Sequence, residues 1–132
     1  MQRTGHVLNS KLAGAIVRLG HRDRIVVTDA GLPLPWALET IDLAVVPGVP
    51  SLKQVLEAIV NELKVEAAIL ADEFALASPE TYREVASLLD GYEMRTVPHK
   101  QLEEMLATVK LAIRTGECSH YANVVLVAGV TF

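Results

Sequence analysis

The chain has 132 residues, enough for one domain spanning residues 1–132 and too few for two. Twelve Lys and Arg against sixteen Asp and Glu leave a net charge of −4; with no basic run, nucleic acid and anionic membrane are poor partners, since both need clustered positive charge. No apolar stretch approaches the roughly twenty residues of a spanning helix, the opening Met1-Gln2-Arg3-Thr4-Gly5-His6 lacks the apolar core of a signal peptide, and the lone Cys118 excludes an internal disulfide and leaves no zinc-type spacing.

Helical and strand periodicities alternate along the chain. Asn9 or Ser10 caps a helix over residues 10–19, with Leu12, Ile16 and Leu19 on one face beside Ala13 and Val17, and Gly20 is expected to end it as a left-handed cap. Arg24–Thr28 reads as a buried strand running into the loop Asp29-Ala30-Gly31-Leu32-Pro33. Residues 41–46 form a second strand closed by Pro47-Gly48. Pro50 and Ser51 open a helix that runs through Leu63, and residues 67–71 form a third strand. Ser78-Pro79-Glu80 starts a further helix, since Pro is tolerated at the first helical position, and Asp90-Gly91 ends it. Glu93–Val97 is a short strand stopped by Pro98; residues 100–109 form the last helix; Leu111–Arg114 and residues 124–127 are two more strands. The alternation predicts a three-layer α/β/α sandwich around a mixed, partly parallel sheet of five to six strands. The short 115–123 connection suggests that the last two strands pair as a hairpin.

Hydrophobic residues make up 51% of the chain and the mean hydropathy is +0.31. A domain this small cannot hide that much apolar surface in one core, so burial between subunits is expected. A reducing cytoplasm is the expected location for a chain with one cysteine.

Ligands of open α/β sheets bind beyond the carboxyl ends of strands. That places Asp29 first among the candidates, although an Asp at such a position also serves to hold its own turn. His21, just past a helix end, and His99, opening a helix, sit where the helix dipole pushes imidazole in opposite directions. Position alone reads both as ordinary surface histidines. The 115–123 loop is dense in polar groups; Tyr121 and Asn123 offer hydroxyl and amide groups suited to a polyhydroxylated ligand, or simply to water. His120 has no evident partner in the sequence, Gly116 reads as a turn residue, and Cys118 has no base placed to activate it. Neither dinucleotide-binding nor P-loop glycine patterns occur.

Several segments, in order, resemble one family. Gly20-His21-Arg22-Asp23, Asp29-Ala30-Gly31-Leu32-Pro33-Leu34-Pro35, Ile41-Asp42-Leu43, Pro47-Gly48-Val49-Pro50, Ile113-Arg114-Thr115-Gly116-Glu117, Tyr121-Ala122-Asn123 and the closing Ala128-Gly129-Val130-Thr131-Phe132 are similar to the ribose pyranase and fucose mutarotase family, across residues 8–132. The resemblance implies an enzyme that interconverts pyranose and furanose forms of D-ribose without metal or cofactor, beside ribose uptake and phosphorylation. It implies His21 as proton donor, Asp29, His99, Tyr121 and Asn123 as sugar-binding side chains, and Ala122 contributing backbone. It also implies a homo-oligomer, a pentameric ring or decamer. The chain has Tyr121-Ala122-Asn123 where the fucose branch reads Tyr-Gly-Asn, and Gly31-Leu32-Pro33 also sides with the ribose branch. Two departures stand out: Glu103 where family members often have Lys, and the 72–79 segment. Neither falls on a matched side chain, and both leave substrate preference open. A mutarotase of another sugar such as L-fucose, or a sugar-binding protein without turnover, are the alternatives.

His21 precedes the first strand and Asp29 comes after it. Five to seven strand residues span roughly 17–23 Å at about 3.3 Å each, so a site built from both is expected at a subunit interface.

Overall fold

A computed structural model describes residues 6–130; the first five residues of the chain and Thr131-Phe132 of its closing motif lie outside the described residues. Six strands form one sheet in the order β2-β5-β1-β6-β3-β4. They are β1 (Arg24–Thr28), β2 (Thr40–Asp42), β3 (Val65–Ala71), β4 (Glu93–Val97), β5 (Leu111–Arg114) and β6 (Val124–Ala128). Five helices connect them: α1 (Ser10–Arg18), α2 (Leu52–Glu62), α3 (Phe74–Ala77), α4 (Pro79–Leu88) and α5 (His99–Met105), the last continuing as a 3-10 turn over Leu106–Thr108.

Local chemistry sets the boundaries. Asn9 caps α1, its Oδ1 accepting the Leu12 N–H at 2.9 Å. Ser51 and Gln54 form a capping box on α2: the Gln54 N–H donates to Ser51 Oγ and the Ser51 N–H to Gln54 Oε1. Gly20 does not take the left-handed conformation expected of it. α1 stops in extended backbone at Leu19, and it is Arg22 that has φ 70°. This turn is held by Asp23, whose Oδ2 accepts the Gly20 N–H at 2.7 Å, and by the Arg22 N–H donating to the Ala128 carbonyl at 2.7 Å. β2 is shorter than the expected 41–46 strand. Its partner β5 ends at Arg114, opposite Asp42, and Asp42 Oδ1 then accepts the Ala44 N–H, turning the chain away.

The sheet is mixed, but not through a hairpin. β6 runs antiparallel to both β1 and β3, whereas the β1–β5, β2–β5 and β3–β4 pairs are parallel. β1 lies between β5 and β6, so the 115–123 loop passes over the carboxyl end of β1 before the chain returns.

Alternation along the strands feeds two cores. Ile25, Val27, Ile113, Val124 and Leu126 face α1, α2 and α4, where Ile16, Leu56, Ile59 and Val85 are fully buried. Val26, Ile69, Ala112 and Val125 face the opposite side, under Leu102, Leu106 and Leu32. Each Val, Leu or Ile among them contributes about 1.5–3 kcal/mol by leaving water. The chain is therefore the three-layer α/β/α arrangement. Its apolar surplus stays outside: Trp36, Leu76 and the Val45, Val46 and Val49 side chains are exposed, the three valines on the single turn that precedes α2.

Candidate active site

The carboxyl ends of β1, β3 and β4 and the start of β6 lie at one end of the sheet, because Val27 and Leu70 both register against Val124. The segments leaving or entering these strands therefore meet there. β1 delivers Asp29, β4 delivers Pro98 and His99, and the residues entering β6 are Tyr121, Ala122 and Asn123. A cleft of about 500 Å³ opens there, lined by Asp29, Leu32, Ala77, His99, His120, Tyr121 and Asn123.

The crossing loop is fastened at several points. The Thr115 hydroxyl donates to the Thr28 carbonyl at 2.7 Å, and the Ala30 N–H to the Glu117 carbonyl at 2.7 Å. Glu117 Oε1 accepts the Leu52 N–H at the start of α2, and Oε2 accepts from the Ser119 hydroxyl at 2.8 Å. Gly116 is required by close approach rather than by a turn. A Cβ there would lie 2.5 Å from the Val49 carbonyl oxygen. Arg114 donates through Nε and Nη2 to the Ala30 carbonyl and through Nη1 to Asp42, fixing the chain just after Asp29.

Asp29 is half-buried. Its Oδ1 accepts the N–H groups of Gly31 (3.0 Å) and Leu32 (2.9 Å), and its own N–H donates to Asn123 Oδ1 at 2.9 Å. Burial pushes its carboxyl pKa above the ordinary value; the two N–H donors, Asn123 and the His99 ring act against that without cancelling it. Asn123 is 1% exposed and Ala122 fully buried. Tyr121 adopts φ 60° and meets His99 edge-on, with ring centroids 4.9 Å apart. The His99 N–H donates to Glu73 Oε1 at 2.9 Å, and its Nε2 lies 3.1 Å from Glu103 Oε1. His99 Nδ1 and Asn123 Nδ2 are buried and have no hydrogen-bond partner among the described residues. Unpaired buried polar atoms in a cleft are costly unless a ligand or water completes them.

His21 is not in this cleft. It sits beyond the other end of β1, exposed, with Nε2 3.3 Å from Glu66 Oε2 just inside β3. The structure thus brings Asp29, His99, Tyr121 and Asn123 to one cleft, keeps Ala122 buried and out of its lining, and leaves His21 apart.

Sequence reading missed several contributors. His120 lines the cleft and its carbonyl accepts the Ser78 hydroxyl at 2.9 Å. Glu73, α3 and Ala77 belong to the divergent 72–79 segment, and Glu103 is the other departure; Glu73 and Glu103 both contact His99. One signal was available beforehand: Glu103 is four residues after His99, neighbours on a helix face.

A family model described as the RbsD / FucU transport protein family matches residues 1–131. The chain belongs to this family. The D-ribose pyranase of Escherichia coli O9:H4 (strain HS) is 44% identical over 98% of this chain and 99% of its own, and that of Shigella boydii serotype 18 equally so. The structure of Bacillus subtilis RbsD complexed with D-ribose matches with a TM-score of 0.94 at 37% identity, over 100% of both chains. The fucose mutarotase of Streptococcus pneumoniae, solved with L-fucose, matches with a TM-score of 0.82 at 20% identity over 97% of this chain and 99% of its own, a likeness of fold. Among the described residues no helix is long and apolar enough to cross a membrane.

Proposed function

We propose that this chain is a D-ribose pyranase, a sugar-ring isomerase that converts the pyranose form of D-ribose to the furanose form and back. The observation that carries this is the cleft itself. Asp29, His99, Tyr121 and Asn123 converge there with two unpartnered polar atoms, in a chain 44% identical over nearly its whole length to a D-ribose pyranase.

Ring interconversion passes through the open aldehyde. Opening adds a proton to the ring oxygen and removes one from the anomeric hydroxyl; closing on a different hydroxyl reverses both transfers. The carboxyl of Asp29, raised by burial, is suited to taking the hydroxyl proton. His99, Tyr121 and Asn123 hold the sugar. His21 is the acid that protonates the ring oxygen, an imidazole being a side chain able both to give and to take a proton.

His21 reaches the sugar from a neighbouring copy. Within one chain, the five residues of β1 put about 17 Å between the two ends at roughly 3.3 Å per residue. The exposed Val45, Val46 and Val49 supply apolar surface for the contact between copies. The assembly is a closed homo-oligomer, a pentameric ring or a decamer of stacked rings, working in the cytoplasm on ribose bound for breakdown.

Saturation-transfer NMR on D-ribose tests this. Exchange between pyranose and furanose signals rises with the parent protein and falls at least about a hundred-fold with His21→Ala, the usual scale for loss of a general acid. Full activity in the variant would remove His21 from the mechanism. Enhancement on L-fucose alone would move the substrate, and line broadening without exchange on any sugar would make this a binding protein.

A further inference from the structure

We infer that Glu103 sets the tautomer of His99, so that the ring presents a bare nitrogen to the sugar and accepts a hydrogen bond from a sugar hydroxyl there. The inference rests on the ring-isomerase reading for the identity of the ligand, but its geometry is independent of it. His99 and Glu103 are four apart on α5, and helical spacing alone puts their side chains side by side. Nε2 lies 3.1 Å from Glu103 Oε1, half-exposed, while the imidazole itself is largely covered. A carboxylate only accepts, so the nitrogen facing it must carry the proton. Tyr121 packs edge-on against the ring with centroids 4.9 Å apart, and Glu73 Oε1 accepts the residue's backbone N–H.

Nδ1 is the other nitrogen, buried and without a partner among the described residues. Protonated, it would be a buried donor with nothing to receive its hydrogen. Unprotonated, it is an acceptor awaiting one. Asn123 Nδ2, also buried and unpartnered, lines the same cleft and is a donor. The two unpartnered atoms thus supply one acceptor and one donor, and a hydroxyl is a group that uses both, donating to Nδ1 and accepting from an amide. A carboxylate or phosphate oxygen has no hydrogen to give Nδ1. The titratable groups around the ring are Asp29 from the loop after β1, Glu73 from the turn before α3, Glu103 from α5, and Tyr121 and His120 from the crossing loop. Glu103 is the one of these whose carboxylate meets a ring nitrogen at hydrogen-bonding distance. It is a positioning residue, acting on the sugar through His99.

The test is the nitrogen-15 spectrum of His99, assigned by its loss in His99→Asn, with D-ribose kinetics beside it. In the neutral ring the parent shows a protonated Nε2 and a bare Nδ1. Glu103→Gln, whose amide oxygen still accepts, keeps that pattern and keeps KM within about two-fold. Glu103→Lys puts a donor against Nε2, reverses the pattern, and raises KM about ten-fold, the scale of one hydrogen bond, with a smaller change in kcat. A parent spectrum showing a protonated Nδ1, or a Glu103→Lys spectrum unchanged from the parent, overturns the inference. Shifts that follow this pattern in a protein that never turns over D-ribose would uphold the role of Glu103 and defeat the isomerase reading instead.

Discussion

If the acid and the cleft come from different copies, two inactive variants must rescue each other. His21→Ala removes the acid and leaves the cleft intact. Asp29→Asn disables the cleft while keeping the Oδ1 acceptor that receives the Gly31 and Leu32 N–H groups, and it leaves His21 untouched. Each alone should be at least about a hundred-fold slower than the parent. In an equimolar random mixture, a shared site is whole when its cleft comes from a His21→Ala subunit and its acid from an Asp29→Asn subunit. Each condition holds half the time, so about a quarter of the parent activity should return in a closed symmetric assembly. The expectation of a shared site comes from the position of His21 at the far end of the five-residue β1 from Asp29. The assay is saturation transfer on D-ribose after co-refolding, with native mass spectrometry to show that the subunits have mixed. Mixed assemblies no more active than either parent variant would place acid and cleft in one subunit and refute the shared site.

Two further predictions concern stability. Burial raises the Asp29 pKa in the folded chain above its ordinary 3.8, so between those values the folded state holds more protons and stability falls as pH rises. Asp29→Asn should therefore melt at a higher temperature than the parent at pH 7, with the difference shrinking towards pH 4; coincident melting curves at pH 7 would refute this. Gly116→Ala drives a methyl against the Val49 and Val46 backbone and should cost about 1–3 kcal/mol in urea unfolding; an unchanged midpoint would mean that the turn yields freely.

What the sequence made legible was whatever depends on local pattern. Leu52, Leu56 and Ile59 spell out the buried face of α2, and Arg24–Thr28 is apolar enough to be a central strand. Non-local pairing was hidden. Nothing in 115–123 says that β1 will slip between β5 and β6, because a nine-residue link suits either a hairpin or a crossing. The length of β2 was likewise set by where β5 stops. At the site, Asp29 was reachable as the residue after a strand, and Tyr121 and Asn123 as polar groups between strands. Their convergence with His99 was not, since it depends on β4 ending beside β3 and β3 beside β6. The resemblance to a family supplied that grouping. Ala77 and Glu73 escaped because α3 is four residues long, too short for periodicity to show.

On the proposed assignment of His21 as the acid, the crossing that sequence pattern could not reveal also makes one copy insufficient. Sending β6 back antiparallel beside β1 brings Asn123 next to Asp29 at one end of the sheet, and it brings Ala128 next to Arg22 at the other. The first contact builds the cleft. The second, with Asp23 holding the Gly20 N–H, pins the turn that carries His21, and Glu66 at the start of β3 meets its imidazole. Each end of β1 therefore holds a histidine or a carboxylate in a fixed place, and the rigid strand keeps the two apart. A flexible lid could not bring them together, because both are anchored to the same sheet. Packing copies so that one end meets the other's cleft would solve the problem at the cost of an apolar interface, and the exposed valines of the 45–49 turn, ahead of α2 and fastened to Gly116 through the Gly48 N–H, would supply it.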